Sequence, residues 1–180
     1  MKEINAMLLN IVAGTTDTTF ATMEWAMTEL LRHPDKLQRV FEELDAIIEA
    51  VVKETLRIHP PAPLLMPHML SETTVVADAE FLENPLQFEP ERFLNVIEKR
   101  NYKGNSFDFF PFGSGRRICV GISMAEKIIM LMLATLHCFE WKLPNRRKPD
   151  VKEQLHLLLS KVEPLVVVPI SRSSKWGYCG

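Results

Sequence analysis

Apolar residues recur at helical spacing through the first part of the chain. Their positions are Ile4, Leu8, Ile11, Val12, Met23, Met27, Leu30 and Leu31. They predict one helix over residues 4–31, although Gly14 and the threonines around it are poor helix formers. Pro34 interrupts this pattern and suits the first turn of a second helix at about 34–49. A third helix, at about 50–58, ends before the prolines that follow His59.

Proline and glycine interrupt the middle of the chain. Residues 73–77 have the composition of a strand, residues 83–93 form an irregular segment with two prolines, and residues 111–121 form a glycine-rich loop. An apolar helix is predicted over 122–139 and a β-hairpin over 154–170, with its turn near 160–164. These elements indicate a mainly α fold with a small β portion, in one domain that spans residues 1–180.

Charge, cysteine content and hydropathy exclude several classes of protein. The formal net charge is −2 and no long basic block occurs, so nucleic-acid binding is not expected. The three cysteines have no regular spacing, which argues against a disulfide framework and suits a reducing compartment. A membrane span needs about 20 predominantly apolar residues, and no such stretch or targeting segment is found in this sequence.

The stretch "FGSGRRICVG" places Cys119 among glycines and arginines, directly before an apolar helix. A small buried hydrophobic residue is the simplest interpretation of a cysteine. Here, however, two arginines and the N-terminus of the following helix favour the thiolate form, which ligates metals. No other cysteine or histidine has zinc-site spacing, so a single thiolate suits an iron already held by haem. A nucleophilic cysteine stays open, although no histidine base accompanies it.

This loop resembles the haem loop of the cytochromes P450, the haem-thiolate monooxygenases. The matching spacing is Phe112-x-x-Gly115-x-Arg117-x-Cys119-x-Gly121. The resemblance implies a haem cofactor, with Cys119 as the axial iron ligand, Arg117 bound to a haem propionate and Phe112 beside the sulfur. The glycines that would shape the loop around the haem are Gly113, Gly115 and Gly121.

Two charged motifs fit the same family. Glu54 and Arg57 of "ETLR" share a helix face at i, i+3 spacing, which alone indicates only a solvated ion pair. Arg92 of "FEPERF" supplies a third member. The resemblance implies that the three form a buried structural triad that joins helix 50–58 to the segment 83–93, the arginine meander.

The stretch "AGTTDTT" has two interpretations. Taken alone, it indicates a helix whose threonines bond back to the preceding turn. The resemblance instead makes 4–31 the oxygen-groove helix, in which Asp17 and Thr18 deliver protons to bound dioxygen. Gly14 and Thr15 would then line the groove, with Thr15 at a position where the family usually has glycine.

Leu64 and Leu65 resemble a substrate-contacting segment of the family, and a core role fits these two leucines equally well. The five histidines show no paired spacing and are each interpreted as surface or satisfied core residues.

The resemblance implies a function for the family's full-length form, of the plant microsomal type. It would insert one oxygen atom from O2 into a small apolar organic substrate. Electrons would come from NADPH through a reductase partner, and an N-terminal anchor outside this chain would hold the protein at the endoplasmic reticulum membrane. The chain matches the C-terminal portion, with two segments, 41–57 and 71–93, that are shorter than in the family. A haem-binding remnant without activity is the alternative, and weak haem binding is expected of the chain alone.

Overall fold

The computed structural model describes residues 2–42, 44–65, 84–94, 101–104, 109–135, 139–144 and 148–171. These residues form four α-helices: α1 (Lys2–Arg32), α2 (Pro34–Glu42), α3 (Leu44–Ile58) and α4 (Ile122–Thr135). Within the same ranges, 3-10 helices cover Pro90–Phe93 and Gly115–Arg117. The described part of the chain after α4 contains four short strands: β1 (Phe139–Lys142), β2 (Glu153–Leu155), β3 (Leu159–Lys161) and β4 (Val168–Ser171). The expected fold class, mainly α with a small β portion, is confirmed.

The core lies where the second half of α1 crosses α3 and α4. Trp25 and Leu30 of α1, Val51 of α3, and Ile129 and Leu133 of α4 are almost completely buried. The first half of α1 has the opposite character, because its large apolar side chains are exposed. These residues are Ile4, Met7, Leu8, Leu9, Ile11 and Val12. The amphipathic pattern therefore predicted the helix, but only its C-terminal half is packed in this chain.

The boundary between the second and third helices differs from the prediction. The structure ends α2 at Glu42 and begins α3 at Leu44, whereas the sequence placed this boundary near residues 49 and 50. The reason is that Ile47, Ile48 and Val51 form one buried face of α3, so the third helix needs these residues for its contact with the core.

The C-terminal strands also pair differently from the prediction. A single hairpin over 154–170 is wrong: β2 pairs with β3, and β4 pairs antiparallel with β1. The turn of the true hairpin lies between β2 and β3, where the His156 N–H donates to the Leu158 carbonyl. After β3 the chain is bound to α1, because the Leu165 N–H donates to the Glu24 carboxylate at 2.7 Å. Residues 168–171 therefore pair with β1 and not with β2.

Two further boundaries concern the end of α4 and the middle of the chain. The last helix was predicted to reach residue 139, but Phe139 begins β1 and pairs with Ser171. Its side chain alternates in burial with its neighbours, as in a strand with one covered face. The strand predicted at 73–77 lies outside the described residues. Of the segment 83–93, residues 84–93 are described.

Candidate functional site

Cys119 lies three residues before Ile122, the first residue of α4, and its side chain is exposed. The Gly121 N–H donates to the Cys119 Sγ at 3.3 Å, and the Gly121 carbonyl accepts the first hydrogen bonds of α4. The sulfur therefore accepts a backbone hydrogen bond close to the N-terminal end of a helix. The exposure of Cys119 contradicts the interpretation of this residue as a small buried hydrophobe.

The backbone of the loop needs glycine at two positions before the cysteine. Gly113 and Gly115 have φ angles of +75° and +65°, in the left-handed region that side chains rarely adopt. The loop closes through the Cys119 N–H, which donates to the Phe112 carbonyl at 3.0 Å. A Cβ atom at Gly121 would lie 3.7 Å from the Cys119 Sγ, so glycine here keeps one side of the sulfur open.

The surroundings of the sulfur fit a planar anionic cofactor. Arg116 and Arg117 are exposed, and neither has an ion-pair partner within the described part of the chain. An apolar cleft lies at the start of the loop, and Arg57 reaches its wall. Its other lining residues are Leu56, Pro60, Ala62, Pro63, Leu65, Phe109, Phe110 and Pro111. An exposed thiol, guanidinium groups without an ion-pair partner among the described residues, and an apolar cleft are the features that a haem site requires.

The charged residues of the two motifs come together in the structure. The Glu54 side chain is completely buried, and its carboxylate accepts two hydrogen bonds from Arg57, at 2.7 and 2.9 Å. The Arg92 Nε donates to the same carboxylate at 3.1 Å, and the Glu89 N–H donates to it at 2.8 Å. Arg57 also donates to the Pro85 carbonyl, so α3 and the segment 84–94 are joined at several points.

The residues of the "AGTTDTT" stretch lie on a continuous helix. The Thr16 and Thr18 hydroxyls donate to carbonyls four residues earlier, those of Val12 and Gly14, at 2.9 and 2.8 Å. This is the back-bonded geometry that the sequence offered as one interpretation. Asp17 is exposed and Thr18 is half-buried.

The neighbours of Thr18 and the two leucines are placed as follows. Gly14 is exposed and Thr15 is half-buried on α1. Leu64 is exposed, whereas Leu65 lines the cleft with its backbone in the left-handed region, at a φ angle of +54°. Such a backbone angle is costly for leucine and is frequent at functional sites. Within the described residues, no hydrogen bond joins Asp17 or Thr18 to the cysteine loop.

Two contacts around the loop were not found from the sequence. The buried ring of Tyr102 meets Phe112 edge-on, with the ring centroids 5.3 Å apart. Gly104 has a φ angle of +70° and lies directly against Gly113 and Ser114. The only sequence signal for either residue was their place in a glycine- and asparagine-containing turn, which does not indicate what the turn touches.

Comparison with known proteins identifies the family. A family profile described as Cytochrome P450 matches residues 1–82 and 75–168, which together cover most of the chain. The chain belongs to the cytochrome P450 family. Its fold agrees, since a zebra fish cytochrome P450 solved with progesterone matches 89% of the chain with a TM-score of 0.72 and 26% identity. That match covers 44% of the zebra fish chain.

The relatives of this P450 chain include several plant oxygenases. A flavonoid 3'-monooxygenase of Crocosmia x crocosmiiflora is 38% identical over 98% of the chain and 43% of its own length. A flavonoid 3'-monooxygenase of Petunia hybrida is 36% identical over 99% of the chain and 43% of its own length. An iridoid oxidase of Catharanthus roseus is 36% identical over 95% of the chain and 41% of its own length. The chain therefore spans less than half the length of these relatives.

The matched region is shorter in this chain than in its relatives. The alignment with the Crocosmia protein has 218 positions, whereas the whole chain has 180 residues, so gaps must open within this sequence. The family profile also matches in two stretches that overlap at residues 75–82. This overlap lies in the segment that the sequence predicted to be shortened. The family is enzymatic and haem-dependent, in agreement with the geometry at Cys119.

Proposed function

We propose that this chain contributes the haem-binding part of a monooxygenase, which inserts one oxygen atom from O2 into a small apolar organic substrate. The exposed thiol of Cys119, bonded by the Gly121 N–H at the start of α4, is the observation that carries this proposal. NADPH would supply electrons through a reductase. The names of the relatives, a flavonoid 3'-monooxygenase and an iridoid oxidase, support an organic substrate.

The residues around Cys119 are proposed to hold the haem. Cys119 would ligate the iron, and Arg117, which has no ion-pair partner among the described residues, would bind a propionate by a charge-assisted hydrogen bond. Phe112 lies at the closing point of the loop, and the absence of side chains at Gly113 and Gly121 would leave room for the haem ring. The bound haem would supply the iron that activates O2, with a thiolate donating electron density to it.

Asp17 and Thr18 are proposed to deliver protons to the oxygen site. The Thr18 hydroxyl donates to the Gly14 carbonyl, and its lone pairs can accept a hydrogen bond from a proton donor. To pass a proton on, its O–H would turn from this carbonyl toward the oxygen site. Asp17 is exposed, and its carboxylate can take up a proton from water and pass it on. Gly14 and Thr15 lie on the same stretch of α1 and are proposed to line this groove.

The triad of Glu54, Arg57 and Arg92 is proposed to be structural. Its Arg57 lines the cleft, and the three residues join α3 to the segment 84–94, which precedes the haem loop in the chain. Leu65 and Leu64 are proposed to contact substrate at the mouth of the cleft, since Leu65 lines it and Leu64 is exposed beside it.

No helix among the described residues has the length and apolar character to cross a membrane. Attachment to the endoplasmic reticulum membrane is a prediction that rests on the resemblance to the full-length form of the family.

The test is reconstitution of the chain with haem, followed by reduction and exposure to carbon monoxide. We expect a thiolate-type Soret band that is lost in Cys119→Ala, while Cys138→Ala, a change at another cysteine, retains it. With reductase and NADPH, the chain should consume O2 and hydroxylate an apolar test substrate. A sample that binds haem with the same spectrum after Cys119→Ala would overturn the assignment. Haem binding without O2 uptake would indicate a non-catalytic remnant.

A further inference from the structure

A four-residue turn, residues 101–104, lies against the haem loop through an aromatic ring. The Tyr102 side chain is buried and contacts two rings that flank the entry to the loop. It meets Phe112 edge-on at a centroid distance of 5.3 Å and Phe109 at 5.9 Å. Burial, together with the nearby carboxylates of Glu126 and Glu49, raises the pKa of Tyr102 well above its usual range. The ring therefore packs as a neutral group.

The same turn contacts the loop a second time through its backbone. Gly104 has a φ angle of +70°, which disfavours any other residue type. A Cβ atom added here would lie 2.6 Å from the Gly113 carbonyl oxygen and 2.8 Å from the Ser114 Cα. Both are backbone atoms, so the collision cannot be relieved by rotation of a side chain.

The contacted loop residues are one hydrogen bond away from the cysteine. The Gly113 N–H donates to the Phe110 carbonyl at 2.9 Å, which fixes the turn that Gly104 touches. The Cys119 N–H donates to the Phe112 carbonyl at 3.0 Å, which closes the loop. A displacement of Phe112 or Gly113 would therefore reach Cys119 directly.

We propose that Tyr102 and Gly104 are positioning residues for Cys119. The turn 101–104 holds residues 112–114 from one side, and this contact keeps the sulfur in place at the start of α4. The link from this contact to haem ligation rests on the proposed function. The contact itself is a property of the haem-free chain.

Amide hydrogen exchange of the haem-free chain, measured by NMR, tests the contact directly. In the wild type, the Gly113 and Cys119 amides should exchange slowly. Gly104→Ala should increase the exchange rate of both amides by about tenfold, while the amides of α3 keep their exchange rates. Lys103→Ala, which changes an exposed side chain in the same turn, should leave the exchange rates of both amides unchanged. Unprotected Gly113 and Cys119 amides in the wild type would overturn the proposal without any variant.

Two variant pairs separate the causes. Asparagine tolerates a positive φ angle better than alanine but carries the same Cβ atom. If the backbone collision matters, Gly104→Asn should accelerate exchange as much as Gly104→Ala. A wild-type rate in Gly104→Asn would mean that only backbone strain was involved, contrary to the proposal. For the ring contact, Tyr102→Ala should accelerate exchange and Tyr102→Phe should restore the wild-type rate.

The reduced, carbon-monoxide-treated haem complex supplies the second readout. Gly104→Ala should convert part of the thiolate-type Soret band to a form without thiolate ligation. A role in stability alone would lower the amount of bound haem and leave the band shape unchanged, and that result would overturn the positioning role. If Cys119→Ala kept the thiolate-type band, the proposed ligand would be wrong, and the exchange data would still decide whether the turn holds the loop.

Discussion

The imidazole of His59 lies flat on the indole of Trp25, with ring centroids 3.9 Å apart and planes 7° apart. A carboxylate faces each ring nitrogen: Glu29 Oε1 lies 2.9 Å from Nε2, and Glu153 Oε1 lies 2.5 Å from Nδ1. Glu29 belongs to α1 and Glu153 to β2. This one buried side chain at the end of α3 therefore joins the long helix to the C-terminal hairpin.

Replacement of His59 by phenylalanine should destabilise the chain strongly. The ring could still stack on Trp25, but the Glu29 carboxylate, only 8% exposed, would lose a hydrogen-bond partner in a poorly solvated place. We expect a loss of about 3 kcal/mol in the free energy of unfolding, measured by urea titration. Glu153→Gln is the matched control, because that side chain is 37% exposed and keeps an acceptor oxygen. Equal losses in the two variants would contradict the role of buried charge.

The triad predicts a second, larger effect on stability. Glu54→Ala removes a completely buried carboxylate and leaves Arg57 and Arg92, each 11% exposed, without their shared partner. A buried charge that loses its partner in this way lowers the free energy of unfolding by about 3–5 kcal/mol. Glu49→Ala on the same helix breaks an ion pair with Lys53 whose carboxylate partner is 55% exposed, and should cost less than about 1 kcal/mol. Chemical denaturation of both variants decides the matter, and similar midpoints would show that the triad is not structural.

Acid stability should depend on Glu91. Partial burial raises the pKa of its carboxyl, but hydrogen bonds and charge from Lys36 and Arg39 outweigh this, and the net pKa lies below 4.5. Since the folded-state pKa is the lower one, the stabilisation is complete above about pH 4.5 and is lost as the pH falls through the folded-state pKa. Glu91→Gln should therefore be less stable than wild type at neutral pH, and the gap should close in acid. The pH dependence of the urea midpoint measures this, and a constant gap would refute it.

The proton-delivery role of Thr18 has a matched control on the same helix. Thr18→Ala removes a hydroxyl but leaves a good helix former, so haem binding and helicity should be unchanged. Product formation by the reconstituted chain with reductase should fall by about 10²-fold. Thr16 is exposed and makes the same back-bond, to the Val12 carbonyl, so Thr16→Ala should keep the wild-type rate. If both substitutions lowered product formation equally, the cause would be a change in the helix and not the loss of a proton path.

Local patterns in the sequence were sufficient to predict the four helices and the residues of the cysteine loop, although not the boundary between α2 and α3 or the end of α4. Pro34 marked the start of α2, and the prolines after His59 marked the end of α3, because proline restricts the backbone in any context. The spacing around Cys119 placed this residue before α4. The ion pair of Glu54 and Arg57 was likewise visible, since residues three apart share a helix face.

Contacts between distant segments could not be read in the same way. His59 and Glu153 are 94 positions apart, and the histidine carried no spacing signal that pointed to a partner. The pairing of β1 with β4 and the hydrogen bond from Leu165 to Glu24 both join segments far apart in the sequence, which no strand pattern contains. In the sequence, Gly104 has only the features of an ordinary turn glycine, and its contact with Gly113 is visible only in the structure. Tertiary packing decided each of these cases.

The exposed half of α1 predicts self-association of the chain. Six large apolar side chains between residues 4 and 12 are 48–69% exposed, which forms a continuous apolar surface of a kind that promotes aggregation. Leu8→Glu combined with Val12→Lys places an i, i+4 ion pair on this surface and should support the helix by about 0.2–0.5 kcal/mol. Sedimentation velocity should show less self-association in this variant, with unchanged circular dichroism. Leu157→Glu changes an exposed leucine in the turn between β2 and β3, and should leave the association as in wild type. A similar decrease in both variants would mean that added charge alone, and not the surface of α1, controls association.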